Sequence, residues 1–471
     1  MKRQSSNLLD TLESRGLINQ IAGDRNALHS LLQSKKLSFY AGIDPTAPSL
    51  HLGHLLPLMV LFWTAIHGHN AVSLVGGATA RVGDPSGRLT SRADTAGEVQ
   101  RTNFKSMFSQ VGSLWKTALL YAERSGNEKE KMGQQTLLDN AQWLDGLTVL
   151  DFLKMLGSGM RLGTMLGRDT VKNKMEKGDG MSFAEFTYPL LQGWDWWHMY
   201  SKMGVQIQVG GSDQYGNIIA GMDAVKHIAQ ASAPDGEQPQ WLDTEGRMRS
   251  EDAPMGLTVP LLTTSAGEKF GKSAGNAVWL DGSMTSPFDL YGFLLRSADA
   301  DVERYLKLFT FVPLITIAEV MRAHSTDPGK RKAQHLLARE VLALVHGNEV
   351  AMKTQQEHHA MRNPTLASSG PYSGTESGSV VIPTSEVIGQ SWARVLATAG
   401  LAASRSEGTR MLKSGAVYTA SNSGKGATLQ FNAVNDPRVV VGRGDLVDGK
   451  LLLRIGKWKV RVVEVVDDKI R

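Results

Sequence analysis

The sequence predicts an α/β protein with three parts: a Rossmann-like parallel sheet with helices packed on it, an α-helical domain and a small α+β domain. Three observations carry this. Apolar segments that end in Gly-rich or Gly/Pro turns recur at 39–54, 71–88 and 205–217, with a helical apolar run after the first. From Ser286 to about Met361 the pattern is helical throughout. After a stretch rich in Ser, Gly, Pro and Thr, the last residues join a helical half to strands of alternating basic and apolar side chains.

A chain of 471 residues has room for roughly two to four domains. We expect a nucleotide-binding domain over 1–285 with a helical insertion around 95–180, a helical domain over 286–362, a linker over 363–382 and a final domain over 383–471. Composition is that of a globular protein with a large core: 41% hydrophobic and 21% charged. The longest apolar run, Leu55 to Ile66, contains Pro57 and is too short to cross a bilayer, so no membrane partner is expected. A net charge of +5 favours a polyanionic partner. The absence of cysteine excludes disulfides and thiol chemistry. The first residues do not read as a transit peptide.

Residues 7 to 35 carry leucines and isoleucines at helical spacing, which predicts one or two helices. The stretch from Phe39 to His54 reads as a buried strand, a turn and a helix start. Gly42 lets the backbone approach another group closely. Asp44-Pro45-Thr46 and Pro48-Ser49 are turn chemistry, with Ser49 as N-cap. His51 and His54 then share a face of the helix's first turn. Unpaired N–H groups and the helix dipole favour an anion there, and two imidazole donors suit phosphate. A capped helix with two surface histidines is the plainer alternative. Zinc does not fit, because two ligands are too few and no cysteine completes a site.

The strand and turn from Ala71 to Arg88 are not a P-loop, since no Gly-Lys-Ser/Thr follows. Farther on, Tyr188, Gln192 and Asp195 recur at i, i+4 and i+7. That places three polar groups on one helix face amid aromatics. Burying such a carboxylate needs a partner, so the face suits a pocket for a polar ligand. Val205 to Asn217 is a further strand and glycine turn, where Asp213 is suited to ribose hydroxyls. Residues 230–253 read as a loop insertion. Lys269-Phe-Gly-Lys272-Ser273 is a Gly-flanked basic loop suited to pyrophosphate oxygens, with an exposed basic turn as the alternative. In the last domain Arg405, Arg410 and Lys413 lie in the helical half. Arg443, Lys450, Arg454, Lys457, Trp458, Lys459 and Arg461 lie among the strands, which predicts a basic face.

His51-Leu-Gly-His54 and, about 200 residues later, Lys269-Phe-Gly-Lys272-Ser273 resemble the paired signatures of class I aminoacyl-tRNA synthetases. Either motif alone is weak, and the ordered pair is strong. Over nearly the whole chain the resemblance is to the tyrosyl-tRNA synthetases of bacterial type. Phe39 to Arg88 and Gly193 to Tyr200 look closest to the fungal mitochondrial members. The resemblance implies a tyrosine pocket of Tyr40, Thr79, Asp84, Asn140, Tyr188, Gln192, Asp195 and Gln208. Within it, Tyr40 and Asp195 match the pair on the substrate phenol, and Asp84, Tyr188 and Gln192 match the ligands of its ammonium group. Gly42, Asp44, Thr46, His51, Gly53, His54, Gly210, Asp213 and Gln214 match positions around ATP. Lys269, Lys272 and Ser273 match the mobile catalytic loop.

The implied partners are L-tyrosine, ATP with its Mg2+, tRNA(Tyr) and a second copy of the chain meeting at the 95–180 insertion. The implied compartment is the mitochondrial matrix, with the cytoplasm as alternative. The resemblance also implies an anticodon-binding helical region and an S4-like RNA-binding final domain. The fungal likeness, with the 230–253 segment that exceeds the compact bacterial pattern, adds group I intron RNA as a candidate partner. Two rivals stay open: the sister tryptophanyl enzymes, and an RNA-binding factor that has lost catalysis. The Tyr40, Tyr188, Gln192, Asp195 set argues against the first, and intact His51, His54, Lys269 and Lys272 against the second.

Overall fold

Six strands form the main sheet: β1 (Gln20–Ala22), β2 (Ser38–Ile43), β3 (Asn70–Val75), β4 (Gln135–Asp139), β5 (Val205–Gly211) and β6 (Met255–Val259), in the order β1-β6-β5-β2-β3-β4. Strands β2 to β6 are parallel, and β1 lies antiparallel on β6. The chain builds β2, β3 and β4 to one side, then returns to place β5 and β6 on the other. The strand order therefore reverses between β2 and β5, and the carboxyl ends there open a crevice. The computed structural model describes residues 7–86, 89–90, 97–231, 239–265, 267, 272–273, 276–362, 380–422, 429–447, 449–456 and 459–468.

The sheet is covered on both faces at its centre, so β2, β3, β5 and β6 are buried along nearly their whole length. On β2, Phe39, Ala41 and Ile43 join one core, whereas Tyr40 joins the other with Val72 and Leu74 of β3. The first core takes in the helix Leu55–Ile66, ten of whose twelve residues are buried. Pro57 falls in its first turn, where a missing N–H costs no helical bond. The second core packs helices Phe183–Met203 and Tyr215–Ala231 against the sheet. Ser182 and Glu185 form a capping box that starts the first of these helices. Buried Lys174 pairs with Glu185 beneath it.

Several expectations change. Residues 7–35 hold two helices, Leu8–Ser14 and Arg25–Ser34, but Ile21 lies between them in β1. Glycines at 16 and 23, both with positive φ, break the helical run there. The 95–180 region is not helical throughout, because Gln135–Asp139 is the sheet's edge strand beside β3. Gln-Thr-Leu-Leu-Asp holds only two adjacent apolar residues, too few for periodicity to assign strand or helix. The helix Gly97–Arg124 is therefore the crossover between β3 and β4, and the smaller helices follow from Ala141 onward. In the 230–253 segment, residues 232–238 lie outside the described residues. Beyond them Trp241 packs edge-on against Trp197 and Tyr200.

Residues from Ser286 form helices Pro287–Leu295, Asp299–Phe309, Leu314–Thr326, Lys332–His346 and Asn348–Arg362. The first core continues without a break from Leu8 to Ala351, and Met1–Ala351 is one compact unit with Met352–Arg471 as the second.

The second unit holds a five-stranded sheet. Val380–Pro383 runs parallel to Lys459–Val466, and Lys450–Ile455, Val417–Asn422 and Leu429–Ala433 follow antiparallel. Helices Trp392–Thr398 and Arg405–Lys413 share its core through Trp392, Leu396 and Leu412. Residues 380–382, read as linker, thus belong to a strand, and 363–379 lie outside the described residues. The basic strand residues do not form one open face. Arg461 is buried, Arg454 stacks on Tyr418 and Phe431 at 4.5 Å each, and Lys450 pairs with Glu464 at 3.0 Å. Arg405, Arg410 and Lys413 are exposed along one helix. Lys457 and Trp458 lie outside the described residues.

Candidate active site

A cleft of about 450 Å³ opens at the carboxyl ends of β2, β3, β5 and β6. Its lining includes all eight residues of the expected tyrosine set: Tyr40, Thr79, Asp84, Asn140, Tyr188, Gln192, Asp195 and Gln208. Gly42, Asp44, Thr46, His51, Gly53, His54, Gly210, Asp213 and Gln214 line it as well. These come from four strand ends and one helix face, so only the parallel sheet brings them together. The Gly42 position faces open space, with no heavy atom within 4 Å of where a Cβ would sit.

At the closed end, Asp195 is 2% exposed. Asn140 Nδ2 donates to its Oδ2 at 2.9 Å, and Trp143 Nε1 donates to its Oδ1 at 2.7 Å. Burial nevertheless outweighs these bonds and raises its pKa from 3.8 to about 7. The Tyr40 hydroxyl is buried with no hydrogen-bond partner among the described residues, and so is Gln208 Oε1. Burial first, and the Asp195 charge second, push the Tyr40 phenol well above its ordinary range, so it stays neutral. An orphaned buried hydroxyl is costly unless something else satisfies it. Beside a carboxylate that accepts, it calls for a ligand group that both donates and accepts, such as a hydroxyl.

Toward the mouth, Asp44 ties the walls together. Thr79 Oγ1 donates to its Oδ1 at 2.7 Å, and Tyr188 OH to its Oδ2 at 2.8 Å. Asn140 Nδ2 also donates to Thr79 Oγ1 at 2.9 Å. Gly76 makes this possible, since a Cβ there would collide with both Asp44 Oδ1 and Thr79 Oγ1. Asp84 forms a second cluster: it accepts from Gln214 Nε2 at 2.7 Å, Asn217 Nδ2 at 3.3 Å and the Ser86 backbone at 2.9 Å. Asn217 also donates to Gln192 Oε1 at 3.3 Å.

The two histidines do not sit as expected. Ser49 is not the cap; its hydroxyl is buried against Gln110 Oε1 and the Leu50 carbonyl. His51 caps a short 3-10 turn, Leu52–His54, ahead of the helix. His51 Nδ1 accepts from Gly53 N and His54 Nδ1 from His51 N, both at 3.1 Å. The rings stack 3.9 Å apart. Burial, and then His51, lower the His54 pKa to about 3. These bonds leave neutral imidazoles that carry their proton on Nε2.

The segment after the lysine loop is fastened to this turn. Leu280 N donates to Leu50 O at 2.8 Å, Leu52 N donates to Val278 O at 3.3 Å, and His51 bridges Trp279. Lys272 and Ser273 form a two-residue ladder with Ala277 and Asn276, and Ala277 lines the cleft. Lys269 lies outside the described residues.

The comparisons agree with this geometry. Residues 32–362 match the family profile described as tRNA synthetases class I (W and Y), and residues 372–470 match the tyrosyl-tRNA synthetase C-terminal domain. The chain is 44% identical over 486 aligned positions to a mitochondrial tyrosine–tRNA ligase of Podospora anserina, covering 98% of this chain and 75% of that protein. The chain belongs to the tyrosyl-tRNA synthetases. A second relative, a mitochondrial tyrosine–tRNA ligase of Saccharomyces cerevisiae, is 36% identical over 98% of this chain and 89% of its own length. A C-terminally truncated Aspergillus nidulans mitochondrial tyrosyl-tRNA synthetase of known structure superposes with a TM-score of 0.70. It is 45% identical and covers 76% of this chain and 95% of its own.

Within this tyrosyl-tRNA synthetase, two residues that hold cleft side chains without lining the cleft themselves were not assigned from sequence. Nothing local in the sequence shows that the Trp143 indole reaches Asp195, 52 residues away. Asn217 joins Asp84, Gln192 and Gln214. Its spacing of three from Gln214, at the start of a helix, was the available signal.

Proposed function

We propose that this tyrosine–tRNA ligase works in two steps. The carboxylate of L-tyrosine attacks the α-phosphorus of ATP. The bond from that phosphorus to the bridging oxygen breaks, and pyrophosphate leaves with Mg2+. The ribose hydroxyl at the 3′ end of tRNA(Tyr) then attacks the tyrosyl carbonyl and releases AMP. The attacking carboxylate is already ionised, so the first step needs no general base. Acceleration comes from positioning and from stabilising the growing phosphate charge.

The observation that carries the tyrosine reading is the unpartnered Tyr40 hydroxyl beside Asp195. A substrate phenol donates to Asp195 and accepts from Tyr40, satisfying both. Phenylalanine leaves the Tyr40 hydroxyl orphaned and gives Asp195 no further donor, and is penalised. Asp84, Tyr188 and Gln192 supply oxygen atoms for the ammonium group. The Nε2–H groups of His51 and His54 face phosphate as neutral donors, and Lys269 and Lys272 bring positive charge to the leaving pyrophosphate. Asp213 and the Gly210 backbone receive the ribose.

The same reading extends to partners and place. The mitochondrial names of the relatives support a mitochondrial enzyme. Val149, Leu150, Leu162, Met175 and Phe183 are each at least 60% exposed, an apolar surface that supports a homodimer. Exposed Arg405, Arg410 and Lys413 support RNA contact by the final domain. The fungal likeness extends this to group I intron RNA; catalytically normal protein that neither binds nor rescues an intron removes that role.

The deciding experiment is ATP–pyrophosphate exchange with tyrosine, phenylalanine and tryptophan. Exchange with tyrosine alone supports the reading. Exchange with tryptophan moves the chain to the sister enzymes. Silence from folded protein favours an RNA-binding factor.

A further inference from the structure

Asp195 is reached by two donors of unequal security. Asn140 is buried, and its amide is held on three sides: it donates to Thr79 and Asp195 and accepts from the Ala78 backbone at 2.8 Å. Trp143 stands on a single helical turn, Ala141–Leu144, none of whose residues is buried. An indole has one donor, and nothing in that short turn fixes the direction in which it points. What fixes it lies on another element. The His198 ring stacks on Trp143 with centroids 4.4 Å apart and planes 12° from parallel.

His198 follows Asp195 by three residues on the helix Phe183–Met203, so both face Trp143 from one side of that helix. The indole is therefore held at one edge by a hydrogen bond to the carboxylate and across its face by the imidazole. Both rings are half-exposed while Asp195 is buried, so the pair forms a roof between the carboxylate and water.

We propose that His198 is a positioning residue for tyrosine recognition: its ring, stacked on Trp143, keeps the indole N–H on Asp195 and the carboxylate aimed at the substrate phenol. This rests on the tyrosine reading above. His198 touches no substrate. It acts through Trp143, and its effect falls on tyrosine binding and on discrimination against phenylalanine rather than on phosphate chemistry.

The test is steady-state ATP–pyrophosphate exchange on the full chain, with thermal melts as a check on folding. Wild-type exchange with tyrosine is measured first; its absence would remove the tyrosine reading, independently of His198. In His198→Ala the KM for tyrosine rises about three- to tenfold, the worth of one aromatic pair, and preference over phenylalanine falls by a similar factor. Its kcat and its KM for ATP stay within about twofold, because the lost contact is remote from the phosphates. His198→Phe, which keeps a ring for stacking but not the imidazole nitrogens, restores the tyrosine KM and the preference. The proposal is overturned if His198→Ala keeps wild-type selectivity, if His198→Phe is as impaired as His198→Ala, or if the KM for ATP rises as much as that for tyrosine.

Discussion

The Tyr188 hydroxyl donates to Asp44 at 2.8 Å across 144 residues of sequence. Tyr188 comes from the helix that also carries Gln192 and Asp195 into the cleft, and Asp44 from the turn that leads to the two signature histidines. One carboxylate therefore holds both halves of the cleft, because Thr79 also donates to it at 2.7 Å.

Tyr188→Phe removes one bond to a charged acceptor, worth about 1.5–3 kcal/mol. On the proposed reading Asp44 stands between the two substrates, so the KM values for tyrosine and ATP both rise in exchange assays. A change confined to tyrosine would show that the Asp44 link does not couple them.

Asp195→Ala loses the acceptor for the substrate phenol. Tyrosine exchange falls roughly 10- to 100-fold in kcat/KM, and preference over phenylalanine collapses. Retained activity and selectivity would refute the pocket assignment.

Asp195 also predicts a pH dependence. Its folded pKa, about 7, lies above the ordinary 3.8, so the empty folded enzyme binds more protons than the unfolded chain in that window. This group's contribution to stability is fully present below the unfolded pKa and is lost as pH rises through the folded pKa. Asp195→Asn removes the titration, so its melting temperature relative to wild type is higher at a pH of about 8 than at about 5. Wild-type preference for tyrosine over phenylalanine also rises over that range, as the carboxylate ionises and denying it the phenol donor becomes costlier. A flat difference between the two proteins would contradict the assignment.

Gly76→Ala places a methyl group against Asp44 Oδ1 and Thr79 Oγ1. The Asp44–Thr79 bond cannot form without backbone movement, so tyrosine affinity falls and the protein loses about 1–3 kcal/mol in denaturant melts. Wild-type binding would show that the turn yields freely.

Lys272→Ala slows adenylate formation by about 10²- to 10³-fold, the loss expected for one donor to a charged transition state, with little change in tyrosine affinity. Pre-steady-state exchange and equilibrium tyrosine binding separate the two effects. Equal losses would count against a transition-state role.

That Tyr188, Gln192 and Asp195 face one cleft was legible because they share one helix, where spacing alone fixes direction. The signature turn was half legible. His51 and His54 stood out, but the cap proved to be His51 itself, since an imidazole nitrogen can accept a backbone N–H as a hydroxyl oxygen does. Strand β4 was hidden inside a charged helical region, because its two adjacent leucines in a five-residue segment carry no periodicity. The basic strand pattern misled for a related reason: alternation sets direction within each strand, but not the register that puts Arg454 and Arg461 on opposite faces, where rings clamp one and the core buries the other.

The sequence by itself determined the class of fold, the family through two ordered signatures, and the residue types that line the cleft. Those depend on local spacing, and the backbone periodicities of helix and strand convert spacing into direction. Only the tertiary structure decided which of these groups touch. The Tyr188–Asp44 bond, the Trp143 indole on Asp195 and the orphaned Tyr40 hydroxyl each join segments far apart in the chain. Such contacts, and the burial that raises the Asp195 pKa, arise from how the parallel sheet brings separate strand ends together, and no local pattern encodes them.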